Sequence, residues 1–260
     1  MNHATEEAIF RRVLLVVEPP GIAPEPFAAM RRLAEELRAE LAGLFVEDLN
    51  LLRLAALPIT RETGLVSGAV RPIDVSDVER AMRLQAEQLR QRLSALAAEL
   101  QLPWSFQVAR GSLLEQALEM APPADLVVLG GRRRSARAAV MTPSEQIVSA
   151  LFDASETGFR VLKAALQLAE GRPERLMLLV PAAPEMSLEE IRRAAAERLG
   201  VTAEFPRALL VSATELQELS QQARRRHCSA LVVATHSLLD ARTQIRALLE
   251  ALECPLVLVT

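Results

Sequence analysis

The sequence has little aromatic character: no tyrosine, one tryptophan and seven phenylalanines in 260 residues. Proteins that bind single-stranded nucleic acid stack the bases on aromatic side chains, so this scarcity argues against that class. Lys163 is the only lysine, and 33 acidic residues outnumber 30 basic ones. Because nucleic-acid-binding domains are usually basic overall, we expect no nucleic-acid partner.

Cysteine is also scarce, since only Cys228 and Cys254 occur. Two cysteines do not suit a secreted domain stapled by disulfides. No apolar run approaches the length of a membrane span, and residues 1–12 lack the basic and then apolar order of a signal peptide. We therefore expect a cytoplasmic protein with no membrane partner.

What the sequence does contain is an alternation of short apolar runs and amphipathic stretches. The run VLLVVE at 13–18 is apolar on both faces, as a buried parallel strand should be. Residues 25–41 follow with apolar positions at helical spacing. Strands that alternate with helices through short connections predict parallel strands joined by right-handed crossovers.

The alternation occurs twice, which predicts a tandem duplication. Strand-length runs lie at 13–18, 42–48, 104–110 and 125–130, and again at 147–153, 175–180, 205–212, 230–236 and 255–260. Residues 131–146 are too few for a crossover helix and another strand. We predict two α/β domains, residues 1–143 and 144–260, the first with an abbreviated last helix and strand. A short strand at 137–141 is what we expect to remain.

Residues 49–72 interrupt the regular alternation. This loop carries glycines, prolines and apolar residues without a steady period, apart from a short helix predicted at 49–57. Loops of this length are often functional, so one hypothesis is contact with a protein partner or self-association. The alternative is ordinary packing between helices. Helix resumes after the loop, where the spacing of Ser76 and Glu79 predicts a capping box, as does that of Ser187 and Glu190.

The ordered runs resemble the universal stress protein family in a tandem two-domain form. In the second half, IVSALFDASETGFRVLKAALQLA is similar to the family's opening strand and helix, and ALVVATH with ECPLVLVT to its last two strands. In the first half, VLLVVE, LAGLFVED and DLVVLGG match the pattern. The resemblance implies doubly wound parallel sheets of strand order 3-2-1-4-5. It also implies pairing through the closing strand at 255–260, between domains or in a homodimer.

The resemblance points to a candidate nucleotide loop at residues 130–144. Members that bind ATP place its phosphates on Gly-x2-Gly-x9-Gly-Ser/Thr after the fourth strand, where backbone N–H groups approach closely. Gly130 aligns with the first glycine, but Arg133 replaces the second and Pro143, which has no N–H, replaces the third before Ser144.

Two hypotheses for this loop remain. Gly131 would partly replace the displaced glycine while Arg132 and Arg133, with two further arginines, offer side-chain forks to an anion. The alternative is a solvated basic loop after a strand that needs Gly130 for a sharp turn. The resemblance also places Glu18, and Asp153 in the second half, where members contact adenosine. The alternative for both carboxylates is capping of a nearby helix.

From these features we expect a universal stress protein-like regulatory or stress-response binding protein with degenerate nucleotide sites and no resident cofactor. The alternative is an ATP-binding protein or slow ATPase using the first-domain loop. No motif for a catalytic nucleophile occurs. A metal site from His236 and Cys254 is excluded, because one follows the fourth strand and the other precedes the fifth, at opposite edges of a parallel sheet.

Overall fold

The computed structural model describes residues 10–19, 23–57, 60–63, 70–122, 124–130, 147–181, 187–200, 207–211, 216–237 and 241–260. We call the elements before residue 131 the N-terminal half and those after residue 146 the C-terminal half. The N-terminal half contains β1 (Arg12–Val17), α1 (Pro24–Leu37), β2 (Glu40–Asp48), α2 (Leu49–Ala55), β3 (Arg61–Thr63), β4 (Val70–Pro72), α3 (Val75–Leu100), β5 (Trp104–Gly111), α4 (Leu113–Met120) and β6 (Leu126–Leu129). The predicted strand at 137–141 lies outside the described residues.

The C-terminal half repeats the alternation more regularly. It contains β7 (Ile147–Leu151), α5 (Glu156–Leu168), β8 (Leu176–Pro181), α6 (Leu188–Leu199), β9 (Arg207–Val211), α7 (Leu216–Arg225), β10 (Cys228–Ala234), α8 (Ala241–Ala251) and β11 (Leu256–Val259). Every strand predicted within the described residues is therefore present. The short hairpin of β3 and β4 inside residues 49–72 was not predicted, because each strand has only three residues.

The two halves share one nine-stranded sheet of order β5-β2-β1-β6-β11-β10-β7-β8-β9. Counted within the C-terminal half, this is the predicted order 3-2-1-4-5, with all neighbours parallel. The N-terminal half supplies only 3-2-1-4 to the sheet. Its fifth position is taken by β11 of the C-terminal half, which pairs with β6 in antiparallel register, Leu256 opposite Leu129. The predicted order therefore holds in one half and is completed by the other half's closing strand.

This arrangement occupies β11 on both sides. It is parallel to β10 and antiparallel to β6, and all four of its residues are buried. The family-type pairing through this strand is thus made within the chain. The carboxyl ends of the N-terminal strands and the amino ends of β10 and β11 consequently lie at the same edge of the sheet.

Helices cover both faces of the sheet. On one face α1, α3, α5 and α6 contribute to a core that includes Met30, Leu93 and Val161. On the other face α4, α7 and α8 contribute to a second core that includes Leu114 and Leu248. Each core contains residues from both halves, so the sheet is a continuous partition between two shared apolar layers. Among the described residues, every helix is too short or too polar to cross a lipid bilayer.

Hydrogen bonds at the last residue reinforce the joint between the halves. Thr260 N–H donates to the Asp125 carbonyl (3.2 Å), and Thr260 Oγ1 donates to the Ala124 carbonyl (2.6 Å). The Arg160 guanidinium donates to the Thr260 carbonyl (2.8 Å) and lies 3.5 Å from an Asp125 carboxylate oxygen. A residue at the start of β6 is therefore bound to both α5 and the end of β11.

Helix starts follow the expected chemistry, with one correction. Asp74, not Ser76, caps α3, and its side chain accepts from the Ser76 N–H (2.7 Å). The capping box predicted from Ser76 is therefore wrong, because an acidic residue two positions earlier satisfies the backbone donor first. The box at Ser187 and Glu190 is present in both directions.

Candidate functional site

A cleft of about 680 Å³ lies at the carboxyl edge of the N-terminal strands. Its volume falls within the range of about 300–1,000 Å³ that small-molecule sites occupy. Its walls come from the residues that follow β1 and β6, the starts of α2 and α4, and one face of α8. The lining residues include Glu18, Asn50, Gly130, Arg246, Leu249 and Glu250. Open α/β sheets usually bind ligands at this edge.

Glu18 follows β1 and presents its carboxyl group to the cleft. Burial raises the pKa of Glu18, and the nearby charge of Asp48 raises it further. Among the described residues, no hydrogen-bond or ion-pair partner compensates the Glu18 carboxylate. Glu18 therefore does not cap a helix within the described residues.

Asp48 is held in place by the chain direction after β2. It is the N-cap of α2, and its side chain accepts from the Asn50 N–H at 2.8 Å. This bond satisfies a backbone donor in the first turn of the helix. The same turn brings Asn50 into the cleft wall. The start of α2 thus supplies a fixed negative charge close to Glu18 and an amide facing the cleft.

Gly130 lies where β6 ends, at the floor of the cleft. Its φ is not among the left-handed values of the chain. An added Cβ would have Pro26 Cγ as its nearest neighbour at 3.5 Å, an ordinary contact. The sharp turn expected after the strand therefore does not require glycine, and neither does packing.

The third wall belongs to α8 of the C-terminal half. Because β11 lies beside β6, the end of α8 comes to the carboxyl edge of the N-terminal strands, and it packs against α4. Arg246, Leu249 and Glu250 consequently line the cleft. Sequence reasoning missed all three. No local signal marks them, since Arg246 and Glu250 are exposed polar residues, and Leu249 a partly buried apolar residue, of an ordinary amphipathic helix in the other half.

The charge of the described cleft is predominantly negative. Glu18 and Glu250 line it, Asp48 lies close by, and Arg246 is the one cation among the described lining residues. A polyphosphate would meet these carboxylates with like charge. Gly131, Arg132, Arg133 and Ser144, which were predicted to contribute, lie outside the described residues. The structure brings Glu18 and Gly130 to one cleft.

Comparison with known proteins identifies the architecture. A universal stress protein from Archaeoglobus fulgidus superposes with a TM-score of 0.53 over 95% of this chain and 96% of that chain, at 10% identity. The chain has the universal stress protein fold. A putative universal stress protein from Pseudomonas aeruginosa gives a TM-score of 0.47 at 15% identity, covering 97% of this chain and 94% of that one. No family model and no curated protein matches the sequence.

The second copy of the universal stress protein fold places Asp153 at the position equivalent to Glu18. Here the exposed carboxylate accepts hydrogen bonds from residues of its own half. Asp153 Oδ1 accepts from the Ser155 N–H (3.0 Å) and hydroxyl (2.6 Å), and Ser237 Oγ donates to Oδ2 (3.3 Å). Ser155 in turn caps α5 by accepting from the Gly158 N–H (2.9 Å). Asp153 therefore supports the start of α5 by binding the N-cap residue Ser155, and it is not itself the cap.

The positions of His236 and Cys254 at the edges of the sheet agree with the sequence expectation. His236 is exposed in a 3-10 turn after β10, while Cys254 precedes β11 at the opposite edge. Within the described residues, no group of three metal-binding side chains occurs. Cys228 and Cys254 are both buried free thiols, at the amino ends of the neighbouring strands β10 and β11.

Proposed function

We propose that this chain is a regulatory binding protein of the universal stress type, in which the N-terminal half holds a small polar ligand and the C-terminal half holds none at its Asp153 position. The observation that supports the proposal is the cleft lined by Glu18, Gly130 and Arg246. Because one wall is α8, a ligand there contacts both halves. A ligand bound in the cleft would thereby influence the surface that the chain presents to other molecules.

The ligand we infer carries hydroxyl or amide groups and little negative charge. Glu18 and Glu250 provide acceptors, Asn50 provides an amide, and Arg246 provides a donor. Burial and Asp48 raise the pKa of Glu18, so a second anion beside it is unfavourable. The degenerate glycine pattern at 130–144 also argues against retention of a triphosphate.

The experiment is to denature the purified protein and identify released small molecules by mass spectrometry. We expect a bound polar compound that is not an adenine nucleotide. Arg246→Ala should reduce its occupancy several-fold, whereas Arg242→Ala, one turn away on α8 and not lining the cleft, should retain it. Equal occupancy in both variants would contradict the assignment of the cleft.

Adenine-nucleotide binding is the second candidate, because Gly130 lines the cleft and the sequence continues directly into Gly131 and three arginines. In this case the arginine side chains would replace backbone donors for the phosphates. Titration with Mg-ATP tests it: saturable binding that Arg132→Ala and Arg133→Ala weaken tenfold or more would favour this candidate over the first. Absence of saturation would remove it.

Self-association through residues 49–72 is a separate part of the proposal. Leu54 and Leu57, at the end of α2, are 53% and 48% exposed. Exposed leucines close together in a chain favour an apolar contact with another molecule. Light scattering of the full chain should show a dimer that Leu54→Ser with Leu57→Ser dissociates. Leu84→Ser, an equally exposed leucine on α3, is the matched control and should leave the dimer intact.

The setting in a stress response is inferred from the fold. The test is whether the protein accumulates when its source organism meets starvation, heat or oxidants. Constant abundance under all three would contradict this part of the proposal without affecting the ligand assignment.

A further inference from the structure

Cys228 and Cys254 form a buried thiol pair in the middle of the nine-stranded sheet. Cys228 is the first residue of β10, and Cys254 lies two residues before β11. Both are free, 3% and 4% exposed, and part of the same apolar layer. The Cys254 side chain is close enough to Cys228 to lower the pKa of the Cys228 thiol. Two cysteines are the total of the chain, so their meeting brings the whole thiol content of the protein to one place.

The positions of the two thiols suit a covalent bond between them. Leu231 pairs with Leu256, and the Leu231 N–H donates to the Pro255 carbonyl at 3.0 Å. Cys254 immediately precedes Pro255, and Cys228 begins β10, whose register shifts between Cys228 and Ala230. Both cysteines therefore lie at the amino ends of neighbouring strands. Such strands are about 4.8 Å apart, and disulfides usually span Cα separations of about 4.4–6.8 Å.

The surroundings of Cys228 favour the reactive form of its thiol. Burial raises the pKa of Cys228, but hydrogen bonds from the Cys254 and Ser149 side chains outweigh burial and lower the pKa to about 7. The Cys228 thiol donates to the Ala230 carbonyl at 2.8 Å and lies 3.2 Å from Oγ of the fully buried Ser149. Once the thiol has lost its proton, the Ser149 hydroxyl can turn to donate to the thiolate. Thiolates, rather than thiols, react with oxidants.

We propose that Cys228 and Cys254 are an oxidation site that a hydroperoxide converts to an intramolecular disulfide. The Cys228 thiolate attacks one peroxide oxygen, the O–O bond breaks, and the leaving hydroxide takes a proton and departs as water. Cys228 is then a sulfenic acid. The Cys254 sulfur attacks the Cys228 sulfur, the S–O bond breaks, and a second water leaves with the Cys254 proton. Two thiols are oxidised and one peroxide is reduced to two waters.

The location gives this reaction a structural consequence. In the sheet, β11 and β10 lie between β6, which the chain leaves at Gly130, and β7, which it enters at Ile147. The two thiols lie at the amino ends of β10 and β11, at the same edge of the sheet as these two points. Both cysteines stand at element boundaries, where local opening to a small oxidant costs least. A disulfide would close the loop 228–254, which contains α8 and therefore one wall of the cleft. The site stands independently of the proposed ligand.

The test is to treat the full-length protein with a modest excess of hydrogen peroxide and to measure its intact mass. We expect a loss of two hydrogen atoms per chain, both cysteines protected from alkylation after denaturation, and a non-reducing peptide map that joins them. A disulfide between two chains, or stable sulfinic acid on either cysteine without a link, would overturn the proposal. So would two thiols that stay reduced until the protein unfolds.

Two variants assign the roles of the thiols. Cys254→Ser should stop at the sulfenic acid, which a dimedone-type reagent traps on Cys228. Cys228→Ser should be at least tenfold slower to oxidise. Ser149→Ala should slow the first step and still give the disulfide. Circular dichroism checks that each variant is folded, and the mass of the wild-type protein decides the proposal without any substitution. Equal rates in the two cysteine variants would contradict Cys228 as the attacking thiol.

Discussion

The residues after the first strand of each half occupy equivalent places and have different surroundings. Asp153 accepts from Ser155 and Ser237 and thereby supports the start of α5. Glu18 has no such partner among the described residues, and it faces a cleft of about 680 Å³. The same position in the fold is thus held by local hydrogen bonds in one half and lines a cleft in the other.

The difference teaches that duplication alone does not conserve a site. In the C-terminal half the shorter Asp153 side chain is hydrogen-bonded to Ser155, two residues later. In the N-terminal half the longer Glu18 extends past the strand, and α8 of the other half supplies a wall. The comparison predicts opposite responses to removing the two carboxylates, and it depends on an intact joint between the halves.

The largest effect is expected from removing the Asp125 carboxylate, which binds the start of β1 and pairs with Arg160 of α5. Asp125 Oδ2 accepts from the Arg11 and Arg12 N–H groups at 2.7 and 3.1 Å, and Oδ1 lies 3.5 Å from Arg160. Asp125→Ala should lower the free energy of unfolding by about 2 kcal/mol, since bonds to a charged acceptor are lost. Urea denaturation measures it. Glu87→Gln, which removes an exposed pair within α3, is the control and should leave the midpoint unchanged.

Removing the structural carboxylate should cost less. Asp153→Ala deprives the Ser155 N–H and hydroxyl of their acceptor, and the loss of such support at a helix start costs about 1 kcal/mol. The Tm of Asp153→Asn, which keeps one acceptor oxygen, should lie between that of Asp153→Ala and that of the wild type. If Asp153→Ala is as stable as the wild type, the role of Asp153 at the helix start is wrong.

Removing the charge in the cleft should have the opposite sign. Burial and Asp48 raise the pKa of Glu18 in the folded chain, so its stability contribution is present at low pH and is lost as pH rises through that pKa. Glu18→Gln should therefore raise Tm at about pH 7 and change little at about pH 4. A lower Tm at neutral pH would contradict the cleft environment.

The matched control for Glu18 is Glu99 on α3. A hydrogen bond from Arg31 lowers the pKa of Glu99, so its contribution is present above the ordinary pKa and is lost as pH falls. Glu99→Gln should accordingly lower Tm at neutral pH or leave it unchanged.

The smallest effect is expected at Gly130. Its φ lies outside the left-handed region, and an added Cβ meets only Pro26 at an ordinary contact distance. Gly130→Ala should change the free energy of unfolding by less than about 0.5 kcal/mol. Urea denaturation and a ligand-binding measurement together separate a structural role of Gly130 from a ligand-binding role. Unchanged stability with weaker binding would show that Gly130 contributes to the ligand site. A loss above about 1 kcal/mol would show that the backbone requires glycine there.

Much of the fold was predictable because the local patterns are strong. The apolar run of β1 and the helical spacing of α5 are each recognisable without their neighbours. The short β3 and β4 were not, since three residues carry too little periodicity. The predicted domain limits, 1–143 and 144–260, stay a prediction, as do the roles of Gly131, Arg132, Arg133 and Ser144.

The sequence by itself determined the alternation of strands and helices, its repetition, and the prediction of an abbreviated last helix and strand in the first half. Only the tertiary structure decided which strand lies beside β6. A run such as residues 256–259 shows by its composition that it is buried on both faces, but composition does not specify its neighbours. Because the edge of β6 needs hydrogen-bond partners, β11 pairs with it, and this pairing brings α8 to the cleft.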